Sequence, residues 1–282
     1  MDIAATVEAA CGIEVTELIE RTGGQLSAVY EVRTSADPLI VKVYAPEWQW
    51  KQAKEVHVYS LLDGLPVPEV LYVGDTFTIL TKLDGMPLSE VEPDDPRAVY
   101  TQLGRLLQRI HTIEQPAYGY LTDRILDPLP DNDQYMRRQF AKKLDEFAGD
   151  PALKAKLAAH VDKHAHLFAA NSQAVLCHND FYEGNILVDP ETWQVTGFID
   201  VENAIAADPL LDLAKTIQYS IRGDAEKLQG LNDGYGATPP DRIDLYRLYH
   251  SLELWDWFHS IGETAHLDSI AGDLEELVSR DG

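Results

Sequence analysis

The stretch His178-Asn179-Asp180-Phe181-Tyr182-Glu183-Gly184-Asn185 is the densest polar cluster in the 282-residue chain. A short run, Gln173–Leu176, leads into it, and Ile186–Val188 leads out. After Asp189-Pro190-Glu191-Thr192-Trp193-Gln194 comes a second apolar run, Val195–Ile199, which ends in Asp200. Two short runs at this spacing predict a hairpin. Asp180, Asn185 and Asp200 then stand at the ends of neighbouring strands. Oxygen donors of this kind suit Mg2+, which takes one or two carboxylates together with substrate phosphates. A further carboxylate beside them can accept a proton from an attacking hydroxyl. The competing reading is local: Asp and Asn in a tight loop commonly bond their own backbone, and His178 can be a satisfied core histidine.

The spacing His-x-Asp-x-x-x-x-Asn is also that of the protein-kinase catalytic loop. There the Asp serves the hydroxyl, the Asn holds a metal, and a separate Asp beyond a hairpin holds Mg2+. Asp200 stands where that last residue belongs. Further toward the N-terminus, Lys42 lies inside the apolar strand Leu39–Tyr44, where a lysine needs a reason. That reason can be a phosphate contact oriented by a carboxylate of the following helix, expected over about 48–62, with Glu55 as the partner. An edge lysine that snorkels to solvent is the alternative. Gly23 and Gly24, just before Ser27, predict a tight turn lying over the phosphates, although no Gly-x-Gly-x-x-Gly or Walker A pattern is present.

Strands are expected over Val29–Arg33, Glu69–Val73 and Thr76–Thr81 as well. The pattern changes after Asp84-Gly85. Val99, Leu103, Leu106, Leu107 and Ile110 recur at helical spacing behind a Pro- and Asp-rich start at 93–96. Residues 115–133, rich in Pro, Gly and Asp, read as loop. Helices follow at about 133–148 and 152–170, and everything beyond Pro209 reads helical. That region includes a long segment at about 240–262, with Leu245, Leu248, Leu252 and Trp255 on one face. The organisation is α+β: a strand-rich N-terminal lobe, residues 1–83, and a mainly helical C-terminal lobe, residues 84–282.

Charge excludes other classes. The chain carries 47 acids against 23 bases, a formal net charge of −24. A nucleic-acid binder needs the opposite balance to replace counterions, and adhesion to an anionic membrane is disfavoured for the same reason. Two distant cysteines, Cys11 and Cys177, make neither a metal spacing nor a disulfide scaffold, which favours a reducing cytoplasm. No signal peptide or membrane-spanning run is visible. The surplus of acid is concentrated: residues 178–282 hold 21 acids and 6 bases. A concave acidic surface attracts cations, and a charged solvated face is the plainer reading.

Nearly the whole chain resembles the aminoglycoside phosphotransferase and choline kinase-like family, which has the protein-kinase-like fold. The most specific element is His178–Val188. Next is Ile199–Leu213, which contains Asp208-Pro209-Leu210-Leu211-Asp212-Leu213, and the helix ending Leu106-Leu107-Gln108-Arg109-Ile110-His111 also resembles the family. Asn179 stands where the family usually has glycine, and so does Ala207. The resemblance implies a two-lobed kinase-like architecture with a small antiparallel sheet in the N-terminal lobe. It implies Asp180 as the catalytic residue, and Asn185 and Asp200 as Mg2+ ligands. Lys42 and Glu55 become the phosphate-positioning pair, the Gly23–Ser27 turn covers the phosphates, and the backbone of Thr81 and Leu83 meets the adenine. Asp212 is expected to cap or brace the helix entered at Pro209.

The implied activity is transfer of phosphate from ATP, with GTP as the alternative, to a hydroxyl of a small cationic molecule. An aminoglycoside or related antibiotic, hence a resistance role, is the leading expectation. Choline, an amino-sugar or another metabolite is the alternative. Glu183, Glu202, Glu253 and Asp256 are the acids expected to meet the acceptor. Trp255 and Trp257 cannot share a helix face. The enzyme is expected to be a monomer or homodimer that binds neither nucleic acid nor membrane. A nucleotide-binding module without turnover, and a metal-dependent hydrolase using His178 and Asp180, are the other classes considered. The first needs a gap among Lys42, Asp180, Asn185 and Asp200; the second needs another His–carboxylate pair.

Overall fold

A computed structural model describes residues 2–21, 27–171, 173–238, 240 and 242–279. Gly23 and Gly24 of the expected phosphate turn lie outside these residues, and so does the side chain of Ser27.

The chain opens with helix α1 (Ile3–Cys11), followed by strands β1 (Val15–Arg21), β2 (Ser27–Thr34) and β3 (Leu39–Tyr44). Helix α2 (Gln49–Leu61), strands β4 (Val70–Val73) and β5 (Phe77–Thr81), and the short β6 (Met86–Pro87) come next. β1 to β5 form an antiparallel sheet in the order β1-β2-β3-β5-β4. Alternation along β3 sends its residues to two destinations. Leu39 and Val41 join Ile3 and Val7 of α1, Val32 and Ile79 in one apolar cluster. Lys42 and Tyr44, on the other face, meet Glu55 of α2. The sequence gives little sign of α1, because its only buried residues are Ile3 and Val7.

Helix α3 (Pro96–Ile110) begins the helical part, and all five of its predicted apolar residues are buried. Residues 114–129 are not the loop expected. They form β7 (Glu114–Gln115), β8 (Tyr118–Leu121) and β9 (Ile125–Leu129). Their prolines and glycine obscure the strand pattern, and pairing with distant strands, of β7 with residues 174–175 and of β8 with residues 205–206, supplies what propensity lacks. Helices α4 (Asn132–Glu146) and α5 (Pro151–His164) precede β10 (Ala174–Cys177). The expected hairpin is present as β11 (Ile186–Val188) paired antiparallel with β12 (Val195–Phe198). Then come β13 (Ile205–Ala207) and helices α6 (Leu210–Thr216), α7 (Ala225–Tyr235), α8 (Ile243–Ser260) and α9 (Leu267–Ser279). β13 lies between β10 and β8 in a second sheet ordered β7-β10-β13-β8-β9. Leu245, Leu248, Leu252 and Trp255 of α8 are buried as predicted, while Trp257 is exposed. α3 and α7 approach so closely that a Cβ on Gly234 would come 2.0 Å from the Thr101 carbonyl oxygen. Among the described residues, no helix is long and apolar enough to cross a membrane.

Two compact units result. One comprises Met1–Asp95, Leu121–Arg124 and Glu183–Ala204, the other Pro96–Tyr120, Ile125–Tyr182 and Ile205–Gly282. This division differs from the boundary expected after residue 83. Residues 84–95 and the β11–β12 hairpin belong to the first unit. The reason is local pairing: Leu187 of β11 pairs with Pro87 of β6, and the Thr196 hydroxyl donates to the Asp84 carbonyl at 2.5 Å. Asn185 and Asp200 therefore pack with the N-terminal sheet, and Asp180 with the helices.

Candidate active site

In the first unit the sequence has placed a lysine on a buried strand face. The strand's alternation leaves it no way to solvent, so burial has to be offset by a partner. Lys42 donates to Glu55 in a buried ion pair, and the second oxygen of Glu55 accepts the Tyr44 hydroxyl at 2.6 Å. Asp200 Oδ1 lies 3.7 Å from Lys42 Nζ. Burial works against the charge on Lys42, but the Glu55 and Asp200 carboxylates prevail and hold the ammonium protonated well above its ordinary range. The edge-lysine alternative is thereby excluded.

Asp200 follows β12 with a left-handed backbone, φ 64°, a conformation that a non-glycine residue keeps only where its surroundings fix it. Its neighbour's amide, Ile199 N–H, donates to the Asn185 carbonyl at 3.0 Å, so the two predicted metal ligands stand side by side across the hairpin. Both offer hard oxygens, the set that Mg2+ prefers. One ligand oxygen from each of Glu55, Asp200 and Glu202 falls within 4.8 Å of the others. Of these three, Glu55 is held by Lys42 and Tyr44, and Glu202 accepts from Lys51 at 3.0 Å. Asp200, with its side chain 40% exposed, is the most open carboxylate of the three.

Glu202 was expected to face the acceptor. It instead anchors Lys51 of α2, whose ammonium also lies 5.3 Å from the Trp48 ring centroid and 5.8 Å from that of Trp50. The Thr81 amide donates to the Glu69 carbonyl at 3.0 Å, which leaves the Thr81 carbonyl as its backbone group for a ligand. The Leu83 side chain lies over Gly197, where a Cβ would come 2.7 Å from Leu83 Cδ1. Glu183 opens a single 3-10 turn, Glu183–Asn185.

In the second unit the pairing of β10 with β13 brings residues 208–212 against the polar stretch 178–181. Cys177 pairs with Ile205, and the Cys177 thiol donates to the Asp208 carbonyl at 3.4 Å. The Asp212 carboxylate, fully buried, accepts the amides of His178 at 2.7 Å and Asn179 at 2.6 Å, and faces His111 Nε2 at 3.2 Å. Burial pushes this carboxyl up, but the His111 hydrogen bond and the neighbouring histidine charges outweigh it and hold it below the usual carboxylate range. Asp212 thus braces the loop and not the helix. The helix start is served by Asp208, whose Oδ1 accepts the Leu210 amide at 2.9 Å and whose Oδ2 accepts the Tyr246 hydroxyl at 2.6 Å.

The two departures from glycine are explained. Asn179 has φ 59°, which asparagine tolerates better than other side chains. Ala207 ends β13 and is not among the positive-φ residues, so glycine is not required there.

Asp180 is about four-fifths buried, with its amide 3.3 Å from His178 Nδ1 and its Oδ1 3.3 Å from Lys215 Nζ. Sequence reasoning missed Lys215. The available signal was the spacing Asp212-x-x-Lys215, which puts both side chains on one helix face. Of the remaining acids, Glu253 accepts the Tyr249 hydroxyl at 2.9 Å and faces His250 Nδ1 at 3.1 Å. Its burial is outweighed by the His250 hydrogen bond and charge, with smaller contributions from Lys215 and Tyr249, which lower its pKa to about 2. Asp256 accepts from Lys143 of α4 at 2.8 Å and ties two helices together. Glu202, Glu253 and Asp256 therefore all have protein partners. Trp255 packs on Phe147 and His259, with ring centroids 4.5 Å and 4.8 Å away.

The family model described as "Phosphotransferase enzyme family" matches residues 17–249. Streptomycin 3''-kinase of Streptomyces griseus is 30% identical over 69% of this chain and 75% of its own length. The crystal structure of a thermostable mutant of aminoglycoside phosphotransferase APH(4)-Ia, in ternary complex with AMP-PNP and hygromycin B, superposes with a TM-score of 0.78 at 17% identity. That match covers 99% of this chain and 98% of the other. A solved structure from Thermobifida fusca, assigned as a fructosamine-3-kinase, gives a TM-score of 0.74 at 21% identity over 99% of both chains. These two likenesses establish the kinase-like fold: a small antiparallel sheet lobe and a helical lobe.

Proposed function

The chain belongs to the phosphotransferase enzyme family, whose small-molecule kinases it resembles in sequence, and from that premise we propose that it transfers the γ-phosphoryl group of ATP to a hydroxyl of a small cationic acceptor, with Mg2+. The buried Lys42–Glu55 pair beside Asp200 carries this reading. A desolvated ammonium fixed on a strand is a preorganised charge for phosphate oxygens. Asn185 and Asp200 would hold the ion, which when bound neutralises phosphate charge. Asp180 orients the acceptor hydroxyl and takes its proton as the new O–P bond forms. The adenine would meet the backbone of Thr81 and Leu83 on the strand-to-lobe connection, with the Thr81 carbonyl as the acceptor, since its amide already donates to Glu69.

An aminoglycoside-like acceptor is supported by the acidity of residues 178–282 and by the similarity to the Streptomyces griseus enzyme. The pairing of Glu202, Glu253 and Asp256 favours a second reading, a less strongly cationic metabolite such as a sugar-amine adduct or polyol. The test is ADP release, with ATP and with GTP, over streptomycin, other aminoglycosides, macrolides, sugar-amine adducts, amino-sugars, choline and simple sugars. Mg2+-dependent release stimulated by at least one acceptor is expected. Tight nucleotide binding with no turnover on any of them identifies a binding module instead.

Asp200→Ala gives a separate check by calorimetry. Affinity for Mg–AMP-PNP should fall at least about tenfold, the effect of losing one hard ligand, while affinity for AMP-PNP in EDTA stays within about threefold. Equal losses in both buffers would remove Asp200 from the metal site.

A further inference from the structure

One face of α6 touches the polar stretch at four consecutive residues. Asp212 accepts the amides of His178 and Asn179, Lys215 meets the carboxylate of Asp180, and the Thr216 hydroxyl donates to the Phe181 carbonyl at 2.8 Å. Positions 212, 215 and 216 fall on one face because i, i+3 and i+4 do so on a helix. Two of these contacts fix backbone amides and one fixes a carbonyl. Only the Lys215 contact acts on a side chain, and that side chain is the one assigned to the chemistry.

The lysine is itself held. Its side chain is 19% exposed and that of Asp180 is 21% exposed, so the pair is sheltered from the screening that weakens surface ion pairs. Its ammonium lies 5.4 Å from the Tyr219 ring centroid, one helical turn on. Tyr219 sits in a turn of π-helix, Ile217–Ile221, and its hydroxyl donates to the His250 carbonyl at 2.9 Å. Turns of this kind tend to occur at functional sites. A lysine retained only for helix stability needs neither a carboxylate partner nor an aromatic platform.

We propose that Lys215 is a positioning residue for phosphoryl transfer: by holding Oδ1 of Asp180 it sets the rotation of the carboxylate that receives the acceptor's proton. The proposal rests on the kinase reading above. It predicts a loss in kcat and not in nucleotide binding, because Lys215 acts through Asp180. A misplaced reacting group costs on the order of 10²-fold.

The experiment uses the full chain, with ADP release in the presence of Mg–ATP and the acceptor found in the screen, or water if none is found. Lys215→Ala should lose about 100-fold in kcat, with KM for ATP within about threefold. Lys215→Arg should recover most of the loss. Ethylammonium chloride should restore part of the Lys215→Ala rate, whereas equal concentrations of sodium chloride should not. Melting temperatures of both variants are read alongside. The proposal is overturned if Lys215→Ala keeps wild-type kcat. It is also overturned if the variant is inactive, melts like wild type and is rescued by neither arginine nor the amine. A variant that fails to fold while Lys215→Arg folds and is inactive overturns it as well. If wild-type protein releases no ADP under any condition, the kinase reading fails first and this proposal falls with it.

Discussion

Asp180→Asn is expected to abolish phosphoryl transfer, lowering kcat by about 10³-fold or more, while Mg–AMP-PNP affinity stays within a few-fold of wild type. The change keeps shape and volume but removes the negative charge and the ability to take a proton. It also weakens the contact with Lys215, now a neutral amide facing an ammonium 3.3 Å away in the parent structure. Nucleotide affinity is spared because the groups assigned to phosphate and metal, Lys42, Glu55, Asn185 and Asp200, all pack in the other compact unit. Single-turnover ADP release and calorimetry separate the two quantities. Full activity in this variant would falsify the role given to Asp180, and a parallel collapse of nucleotide affinity would end the division of labour.

Asp212→Ala is expected to be the most destabilising of the substitutions considered. It strips a fully buried carboxylate from two amides and an imidazole, leaving three donors without their acceptor in a dry interior. Breaking a buried network of this kind costs about 3–5 kcal/mol, which corresponds to a fall in melting temperature of roughly 10 °C for a chain of this size. Asp212→Asn keeps one acceptor oxygen and should lose less. If the alanine variant does not fold, the asparagine variant still tests the prediction: its melting temperature should fall, and kcat should fall more than nucleotide affinity. A wild-type melting temperature in Asp212→Asn would show that the brace contributes nothing.

The same group sets part of the response to acid. The folded carboxyl of Asp212 titrates below its unfolded value, so the folded state binds its proton less readily. Its stabilisation is therefore fully present above the unfolded pKa of about 4 and is lost as the pH falls toward the folded value. As the pH falls below about 4 the wild-type melting temperature should drop more steeply than that of Asp212→Asn, which has no carboxyl to titrate there.

Much of the fold and the candidate site was legible in one dimension. Asp180, Asn185 and Asp200 could be singled out as candidates because loop and hairpin are contiguous, and for Asn185 and Asp200 the spacing along the chain translates into positions joined across the hairpin. The buried faces of α3 and α8 were found because helical period alone places Leu103, Leu107, Leu248 and Leu252 inside. The lysine of β3 announced itself by standing in an apolar strand. The strands of residues 114–129 were missed, since β7 and β8 pair with β10 and β13, far away in sequence, and Pro116, Gly119 and Pro128 interrupt the strand pattern.

The chain's sequence by itself thus determined the family, the kinase-like fold and the residue types available for transfer. Tertiary structure decided how the acids are used. Glu202 meets a lysine 151 residues away, Asp256 one 113 residues away, and Asp212 grips a loop 33 and 34 residues upstream. No local pattern encodes such partnerships, because they exist only once sheets and helices have packed. That is why a surplus of negative charge could be counted from sequence, yet only packing showed that several of those charges are already paired within the protein.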